Sequence, residues 1–350
     1  MLSSLVRRLP FCLLLAAFAL ALPARLAADL VWSPDTGWRI EGGILSGLTG
    51  AEGRNALDLM NQAREDEEHG KLHAALKAYG KVIKKYGNSI YTPEALYRSA
   101  RIYFQRKQYT KSFDSYSEII HRYPNSKRFN EIIGEQYRIA SAMVDGARIY
   151  FWGVIPGLPD RTKGIFYLEV LLQEAPYSDY APLALMTIAR GHQLLSDKEE
   201  AIDALDRMIN QYPQSLLTPD AYLKLAQAHA DLVDGPLYDQ ESTQEAITYF
   251  QDFMILYPGD PNIAEAEAGL THMRTVLAES KVKIADFYFF KRDNYTAARV
   301  FYNEAITVYP DSDVAKVARQ RLTEVEAAVA AHKAGADAPQ SKKKKHFFFF

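Results

Sequence analysis

The segment Thr92–Ser126 constrains the fold most, because it encodes two short helices together with their ends. Thr92 suits an N-cap and Pro93 a first helical position, and apolar or small residues then recur at helical spacing. A polar break at Arg106–Gln108 precedes a second helix of the same kind, which Tyr123-Pro124 terminates. The segment therefore predicts a helical hairpin whose apolar side needs neighbouring copies to cover it.

The same scheme recurs along the chain, and six hairpins are predicted. Their terminators are Tyr86-Gly87, Tyr123-Pro124, Ala175-Pro176, Tyr212-Pro213, Tyr257-Pro258 and Tyr309-Pro310. The third and fifth hairpins are predicted to have stretched first helices, the third running from about residue 128 to residue 151, and an extended turn is predicted at residues 234–240 of the fifth. The sixth opens with a very long helix, about residues 262–291. A last helix of about residues 313–332 is expected to cover the end of the array through Val317, Leu322 and Val325.

This pattern resembles the tetratricopeptide repeat, which has a 34-residue period and a final proline. Undistorted junctions lie 37 residues apart here, because a polar Tyr-Pro-Asn-Ser or Tyr-Pro-Gln-Ser linker precedes the next helix. The predicted fold is an all-α superhelical solenoid of about six helix hairpins with a C-terminal capping helix.

The domain organisation predicted around this array has four parts. Residues 1–28 are typical of a signal peptide, with Arg7 and Arg8 before an apolar run and Leu26-Ala27-Ala28 as a cleavage site. An uncleaved anchor is the alternative. Residues 29–53 form a leader rich in Trp and Gly, residues 54–332 the solenoid, and residues 333–350 a flexible tail rich in Lys and Phe.

Three segments lie outside the repeat pattern, and the role of each has two possible interpretations. Trp32 and Trp38 of the leader either pin it against the first hairpin or bind a partner. The apolar loop at residues 152–160 is either functional or folds back over the array. The cationic and aromatic run at residues 342–350 either contacts an anionic membrane surface weakly or is a non-functional extension.

Composition argues against several function classes. The only cysteine is Cys12, inside the predicted signal, so the mature chain is expected to have no disulfide, thiol nucleophile or thiolate metal ligand. The formal net charge of −2 does not favour nucleic-acid binding. No cofactor motif is found, since the glycines of residues 42–50 lack the lysine of a phosphate loop.

The histidines do not predict a metal or catalytic site. His69 and His73 are four residues apart beside Glu65, but Gly70 falls between them at a predicted turn. His192 takes a position that Tyr or Phe fills in sister hairpins, which predicts a packed core histidine. We expect no metal and no enzyme activity.

Recurring arginines predict a peptide-binding groove on the first helices of the hairpins. Residues spaced by three and four along each first helix share a stripe that points away from the partner helix. Arginine beside adaptable apolar residues suits an extended peptide with an acidic group or free carboxylate. The alternative is that these arginines only pair with neighbouring acids. The predicted groove residues are Met60, Arg64, Tyr97, Arg101, Phe104, Met186 and Arg190.

The order of irregularities resembles the BamD-like family of outer-membrane assembly proteins. The aromatic Tyr-Phe-Trp-Gly-Val run of the third hairpin follows a Tyr-Pro-Asn-Ser junction, and Tyr-Pro-Gln-Ser and Tyr-Pro-Gly-Asp-Pro junctions come later. The most specific match is the long helix reading TVLAESKVKIADFYFFKRDNYTAA. The resemblance covers about residues 55–322.

That resemblance implies a non-catalytic periplasmic scaffold at the inner face of the outer membrane. Its implied partners are a barrel-assembly subunit and unfolded outer-membrane precursors, with peripheral membrane contact. Members of that family carry a lipid anchor on a Cys directly after the signal. This sequence departs from that pattern, because Cys12 precedes most of the apolar run and has a bulky residue where lipid attachment needs a small one, so a lipid anchor is not expected. The alternative function is a periplasmic repeat protein that links cell-wall synthesis to envelope machinery.

Overall fold

The computed structural model describes residues 29–41, 51–237 and 239–337. The predicted signal peptide and nearly all of the predicted tail lie outside these residues. The chain divides into two units, the first ending at Ala181 and the second beginning at Pro182.

Unit 1 contains six helices and two small β-hairpins among its described residues. In chain order these elements are β1 (Asp29–Ser33), β2 (Gly37–Glu41), α1 (Ala51–Glu68), α2 (Leu72–Lys85), α3 (Thr92–Gln105), α4 (Tyr109–Arg122), α5 (Phe129–Val144), β3 (Arg148–Phe151), β4 (Ile155–Pro159) and α6 (Arg161–Glu174). Each β pair is antiparallel. The helices form three hairpins.

Unit 2 takes up the rest of the chain and is helical throughout its described residues. Its elements are α7 (Tyr180–Leu195, whose first two residues still belong to unit 1), α8 (Lys198–Gln211), α9 (Thr218–Ala230), α10 (Gln240–Leu256), α11 (Ile263–Arg292), α12 (Tyr295–Val308) and α13 (Asp313–Asp337). The six predicted hairpins and the long sixth opening helix are confirmed. The chain is an all-α tetratricopeptide-repeat protein.

One turn geometry recurs inside the hairpins. Gly70, Lys107, Gly146 and Ser196 have left-handed backbones, with φ of +72°, +56°, +88° and +66°. In each case the next amide donates to a carbonyl five residues back, as Lys71 N does to Asp66 O at 2.8 Å. This is the Schellman end of a helix, which satisfies carbonyls that would otherwise lack donors.

The predicted stretching of the third and fifth first helices is wrong. The helix α5 ends at Val144, because Gly146 adopts the left-handed turn and Ala147 N bonds to Ala142 O at 2.9 Å. The residues that follow form the β3–β4 hairpin instead. In the fifth hairpin, α9 ends at Ala230, and the extra residues lie in the connection before α10, where the extended turn at residues 234–240 is predicted.

Close helix approach follows from small residues, as the repeat pattern predicts. The Ser112 hydroxyl donates to the Ala100 carbonyl at 2.8 Å in the buried contact between α3 and α4. A Cβ atom on Gly164 would meet the Ala140 carbonyl oxygen at 2.9 Å and Val144 N at 2.8 Å. In the third hairpin the small residue therefore lies on the second helix.

Tyrosines fill the core beside these contacts. Tyr79, Tyr116 and Tyr302 are fully buried at corresponding positions of second helices. Tyr79 donates to Glu67 at 2.9 Å, Tyr302 donates to Asp286, and the Tyr116 hydroxyl has no partner. Burial is the main cause that raises the pKa of all three phenols.

The structure differs from the prediction at the start of α3 and along the last helix, α13. Thr92 is not an N-cap, because its hydroxyl donates back to Tyr86 O at 2.7 Å and fastens the inter-hairpin junction. The cap helix α13 buries Ala318 and Val325, whereas Val317 is 45% exposed. The predicted apolar face of this helix is therefore displaced by one residue at that point.

Candidate functional site

The leader lies against the first helices of unit 1. Trp38 N donates to Asn61 Oδ1 of α1 at 2.6 Å, and the Trp38 side chain is buried. The Arg64 guanidinium lies 4.4 Å from the centre of the Trp32 ring, and that of Arg98 lies 5.6 Å from Trp38. The packing interpretation of the two tryptophans agrees with these contacts.

Two of the predicted groove residues are buried and therefore do not line an open surface. Met60 is fully buried in the cluster that contains Trp38. Tyr97 is 4% exposed, because Arg128 covers its ring at 4.3 Å and its hydroxyl donates to Glu131. The first helix of a hairpin packs against its partner helix and also against the leader or the next hairpin. The stripe that faces away from the partner helix is therefore only partly exposed.

A network of charges surrounds Glu67 on the same side of unit 1. Glu67 accepts from the Tyr79 hydroxyl, and Arg64 and Arg98 lie 3.4 and 3.8 Å from it. Arg98 also bonds to Glu94 at 2.8 Å. The side chains of Arg98, Glu94 and Glu67 are only 12%, 10% and 17% exposed, so water screens these ion pairs weakly. Arg64 is thus committed to acids and to Trp32, as the alternative to the groove hypothesis states.

Arg101 is different, since it is exposed and borders a cavity. The cavity has a volume of about 360 Å³. Its lining residues, which define the Arg101 pocket, are Glu67, Arg101, Ile102, Phe104, Gln105 and Arg138. They come from α1, α3 and α5, so all three hairpins of unit 1 contribute.

The Arg101 pocket combines cations with an aromatic wall. The Arg138 guanidinium lies 4.1 Å from the centre of the Phe104 ring and pairs with Glu135. Arg101 lies 5.9 Å from the Tyr97 ring and is turned to solvent. The one carboxylate of the lining, Glu67, is already held by Tyr79, Arg64 and Arg98. The pocket can therefore accept a carboxylate beside an apolar or aromatic side chain.

A second cavity of unit 1 lies at the Tyr-Pro-Asn-Ser junction. Its volume is about 510 Å³, and Leu30 of the leader, Pro93, Tyr97 and Arg128 are among its lining residues. Arg128 bonds to Glu94 at 3.2 Å while covering Tyr97, so its charge is compensated.

The remaining predicted groove residues belong to unit 2. Met186 is half-buried on α7, and Arg190 of the same helix is exposed and has an interaction partner. Neither lines the Arg101 pocket. Of the seven predicted residues, the structure therefore brings Arg101 and Phe104 together in one cavity and adds Arg138, which the sequence interpretation missed.

The histidines occupy structural positions. His69 precedes the left-handed Gly70 and its Nδ1 lies 2.7 Å from Glu65 O. His192 is half-buried near the end of α7, where its Nδ1 lies 3.5 Å from Asp197 Oδ2. No group of three or more His, Cys, Asp or Glu among the residues that the structure describes is arranged to hold a metal ion. Within those residues, no helix is both long and apolar enough to cross a bilayer.

Comparison with known families decides the relationship. A family model described as an outer membrane lipoprotein matches residues 160–345, and a tetratricopeptide-repeat model matches residues 60–127. The first match covers more than half of the chain. The chain belongs to this outer membrane lipoprotein family.

Two similar relatives are named outer membrane protein assembly factor BamD. The protein from Pasteurella multocida is 24% identical over 163 residues, which is 44% of this chain and 62% of the relative. The one from Xylella fastidiosa strain 9a5c is 24% identical over 152 residues, 41% of this chain and 52% of the relative. The matched part thus spans between half and two thirds of these relatives, and the family member described here is BamD-like.

Solved structures give a looser comparison. A crystal structure of a tetratricopeptide-repeat protein from Parabacteroides merdae covers 78% of this chain, and the match covers 100% of that protein. Its sequence identity is 13% and the TM-score is 0.32. Those values are too low to carry any argument about function.

Proposed function

We propose that this family member is a non-catalytic factor in the assembly of outer-membrane β-barrel proteins. In this role it acts in the periplasm, at the inner face of the outer membrane. It holds a barrel-assembly subunit and unfolded outer-membrane precursors through its helical hairpins. The family membership and the BamD relatives support the assembly role, and the Arg101 pocket supports the holding of a peptide.

The observation that carries the binding step is that Arg101 and Arg138 line one small cavity beside Phe104. Arg138 already bonds to Glu135, so the exposed Arg101 guanidinium offers most of the donors, and a guanidinium fork matches a carboxylate in two-bond geometry. Phe104 supplies a flat apolar surface for an adjoining side chain. The preferred ligand is accordingly a peptide with a free C-terminal carboxylate whose last or second-to-last residue is aromatic.

A peptide titration tests this step. A fluorescent peptide that ends in phenylalanine with a free carboxylate is titrated against the full chain and against Arg101→Ala/Arg138→Ala. We expect the double variant to bind at least tenfold more weakly, because each charge-assisted bond contributes about 1.5–3 kcal/mol and tenfold corresponds to about 1.4 kcal/mol. Amidation of the peptide terminus should weaken binding of the unaltered protein to the same extent.

The matched control is Arg299→Ala, which removes an exposed arginine of α12 in unit 2. Its affinity for the peptide should equal that of the unaltered protein. Equal affinity of the Arg101→Ala/Arg138→Ala variant would contradict the proposed site. A photo-crosslinking amino acid in place of Phe104 then captures the proteins that contact the pocket in cells. Capture of cell-wall synthases and not of barrel-assembly proteins would contradict the proposed role.

A further inference from the structure

The β3–β4 hairpin exposes an unusual number of apolar side chains. Large exposed apolar groups that lie together on a folded protein mark a contact surface. The five that define the hairpin tip are Phe151, Trp152, Val154, Ile155 and Leu158, which are 58%, 72%, 73%, 51% and 84% exposed. Phe151 and Ile155 are direct cross-strand partners, so they share one face.

The backbone of this tip is held in place by the α3–α4 turn. Tyr150 N donates to Lys107 O at 3.0 Å, and the Arg106 guanidinium donates to Trp152 O at 2.5 Å. The buried Gln108 carboxamide lies 3.3 Å from Trp152 N and 3.2 Å from Gly153 N, and its oxygen accepts from both in the amide orientation that satisfies them. The exposed side chains are therefore presented on a fixed support.

The turn itself has an uncommon residue. Trp152 and Gly153 both have left-handed backbones, with φ of +51° and +75°, and Val154 N closes the turn on Phe151 O at 3.1 Å. A bulky side chain is unfavourable in that conformation. Here the residue in that conformation is a tryptophan whose side chain is 72% exposed, so little burial offsets the strain.

The charges around the tip are mostly positive. Three cations, Arg106, Lys107 and Arg148, are nearest the tip in the chain or in contact with it. Residues 106–111 and 145–163 contain three more, of which Lys111 lies over Tyr103 and Lys163 over Tyr167. The same ranges contain two carboxylates, Asp145 and Asp160. Asp160 caps α6 by accepting from Lys163 N at 2.9 Å. No carboxylate lies between residues 147 and 159.

An anionic lipid surface complements this arrangement. Tryptophan and phenylalanine favour the boundary between headgroups and acyl chains, and cations beside them favour phosphate. A protein surface would need an acidic rim around an apolar hollow to match the same features. We propose that the β3–β4 hairpin is a membrane-contact element whose tip enters an anionic phospholipid leaflet. This inference does not depend on peptide binding at the Arg101 pocket.

A fluorescent probe at the tip tests the proposal in the full chain. Cys12→Ser removes the only cysteine, and Leu158→Cys then carries a polarity-sensitive dye. With vesicles of phosphatidylethanolamine and phosphatidylglycerol we expect a blue shift of the dye. We expect partitioning to fall at least tenfold when Trp152→Ser and Val154→Ser are added. Phosphatidylcholine vesicles at high salt should also reduce the shift.

The matched control places the same dye at Leu216→Cys, which is 98% exposed in unit 2. The emission of that probe should not change with vesicles. Water-like emission at residue 158 in the presence of anionic vesicles would overturn the proposal, as would equal shifts at residues 158 and 216. A shift that needs an added envelope protein and not lipid would overturn it in favour of a protein contact.

Discussion

The Arg64 guanidinium lies 4.4 Å from the centre of the Trp32 ring, so an arginine predicted to hold a ligand instead holds the leader of its own chain. Trp38 is the second residue of β2, and its side chain is buried in the core. Its backbone N–H donates to Asn61 Oδ1. The part of α1 that carries Asn61 and Arg64 is therefore in contact with the leader, whereas Arg101 of α3 is exposed.

Removal of the Trp38 side chain should destabilise unit 1. Trp38→Ala deletes a buried indole from the cluster around Met60, and such deletions cost about 3–5 kcal/mol. We expect a loss of about 3 kcal/mol in the free energy of unfolding, measured by urea denaturation. Trp152→Ala, at an exposed indole, is the control and should change stability by less than about 0.5 kcal/mol. Equal effects of the two substitutions would contradict the described leader packing.

The contact between α5 and α6 depends on a glycine. Gly164→Ala places a methyl group against the Ala140 carbonyl and Val144 N, so we expect it to lower the free energy of unfolding by about 1–3 kcal/mol. Gly80→Ala, in α2 with nothing within 4 Å, should raise it by about 0.5–1 kcal/mol. Thermal or urea unfolding measures both. Stabilisation by both substitutions would mean that α5 and α6 lie farther apart.

The Glu67 network should contribute more than an exposed ion pair. Glu67→Ala leaves the buried Tyr79 hydroxyl without its acceptor and two arginines without a shared acid. An unsatisfied buried donor costs about 1–3 kcal/mol, so we expect a loss near 2 kcal/mol. Lys316→Ala breaks the pair with Asp313, where the side chains are 68% and 94% exposed, and should change the free energy of unfolding far less, because water and salt screen an exposed ion pair. Urea denaturation of both variants gives the comparison.

Unit 2 should lose stability in mild acid because of His229. Burial lowers the pKa of His229, against the opposing effect of Glu245, Asp206 and Asp239. The unfolded chain then binds a proton more readily than the folded chain. The stabilising contribution is therefore complete above about pH 6.5, the ordinary pKa, and decreases as the pH falls towards the folded pKa.

The variant His229→Phe isolates this effect. It keeps the stacking on Tyr249, where the ring centres are 5.4 Å apart, and removes a ring whose buried Nδ1 has no hydrogen-bond partner. The fall in denaturation midpoint between pH 7.5 and pH 5 should be smaller in this variant than in the unaltered protein. His272→Phe, at an exposed position of α11, serves as the control. An unchanged pH dependence in His229→Phe would exclude His229 as the group responsible.

The helical hairpins could be predicted because their signals are local. A Tyr-Pro pair indicates where a helix ends. Small residues at helical spacing indicate which side of the helix faces its partner helix. The left-handed turn at Gly146 was also local, since Asp145-Gly146 follows an apolar helix, but the aromatic residues beyond it were counted as helix. Strand pairing of Arg148–Phe151 depends on a partner segment and on the α3–α4 turn, which a helical period does not reveal.

The candidate site was predicted only in part, for a geometric reason. Spacing shows which residues of a first helix avoid its partner, but it does not show which of them the next hairpin covers. Tyr97 and Arg101 share that stripe, yet Arg128 covers one and leaves the other exposed. The sequence interpretation missed Arg138 because its distance from the turn differs from that of the other arginines. Arg138 lies eight residues before Gly146, whereas Arg64 and Arg101 lie six residues before Gly70 and Lys107.

The seating of the leader on α1 also restricts what can be bound. Glu67 lines the Arg101 pocket and at the same time bonds to the arginines that hold Trp32 and Trp38. In the proposed binding mode, a peptide in the Arg101 pocket would meet Glu67 and its arginines on the α1 side. That neighbour would favour the capture of a terminus over the passage of an internal stretch.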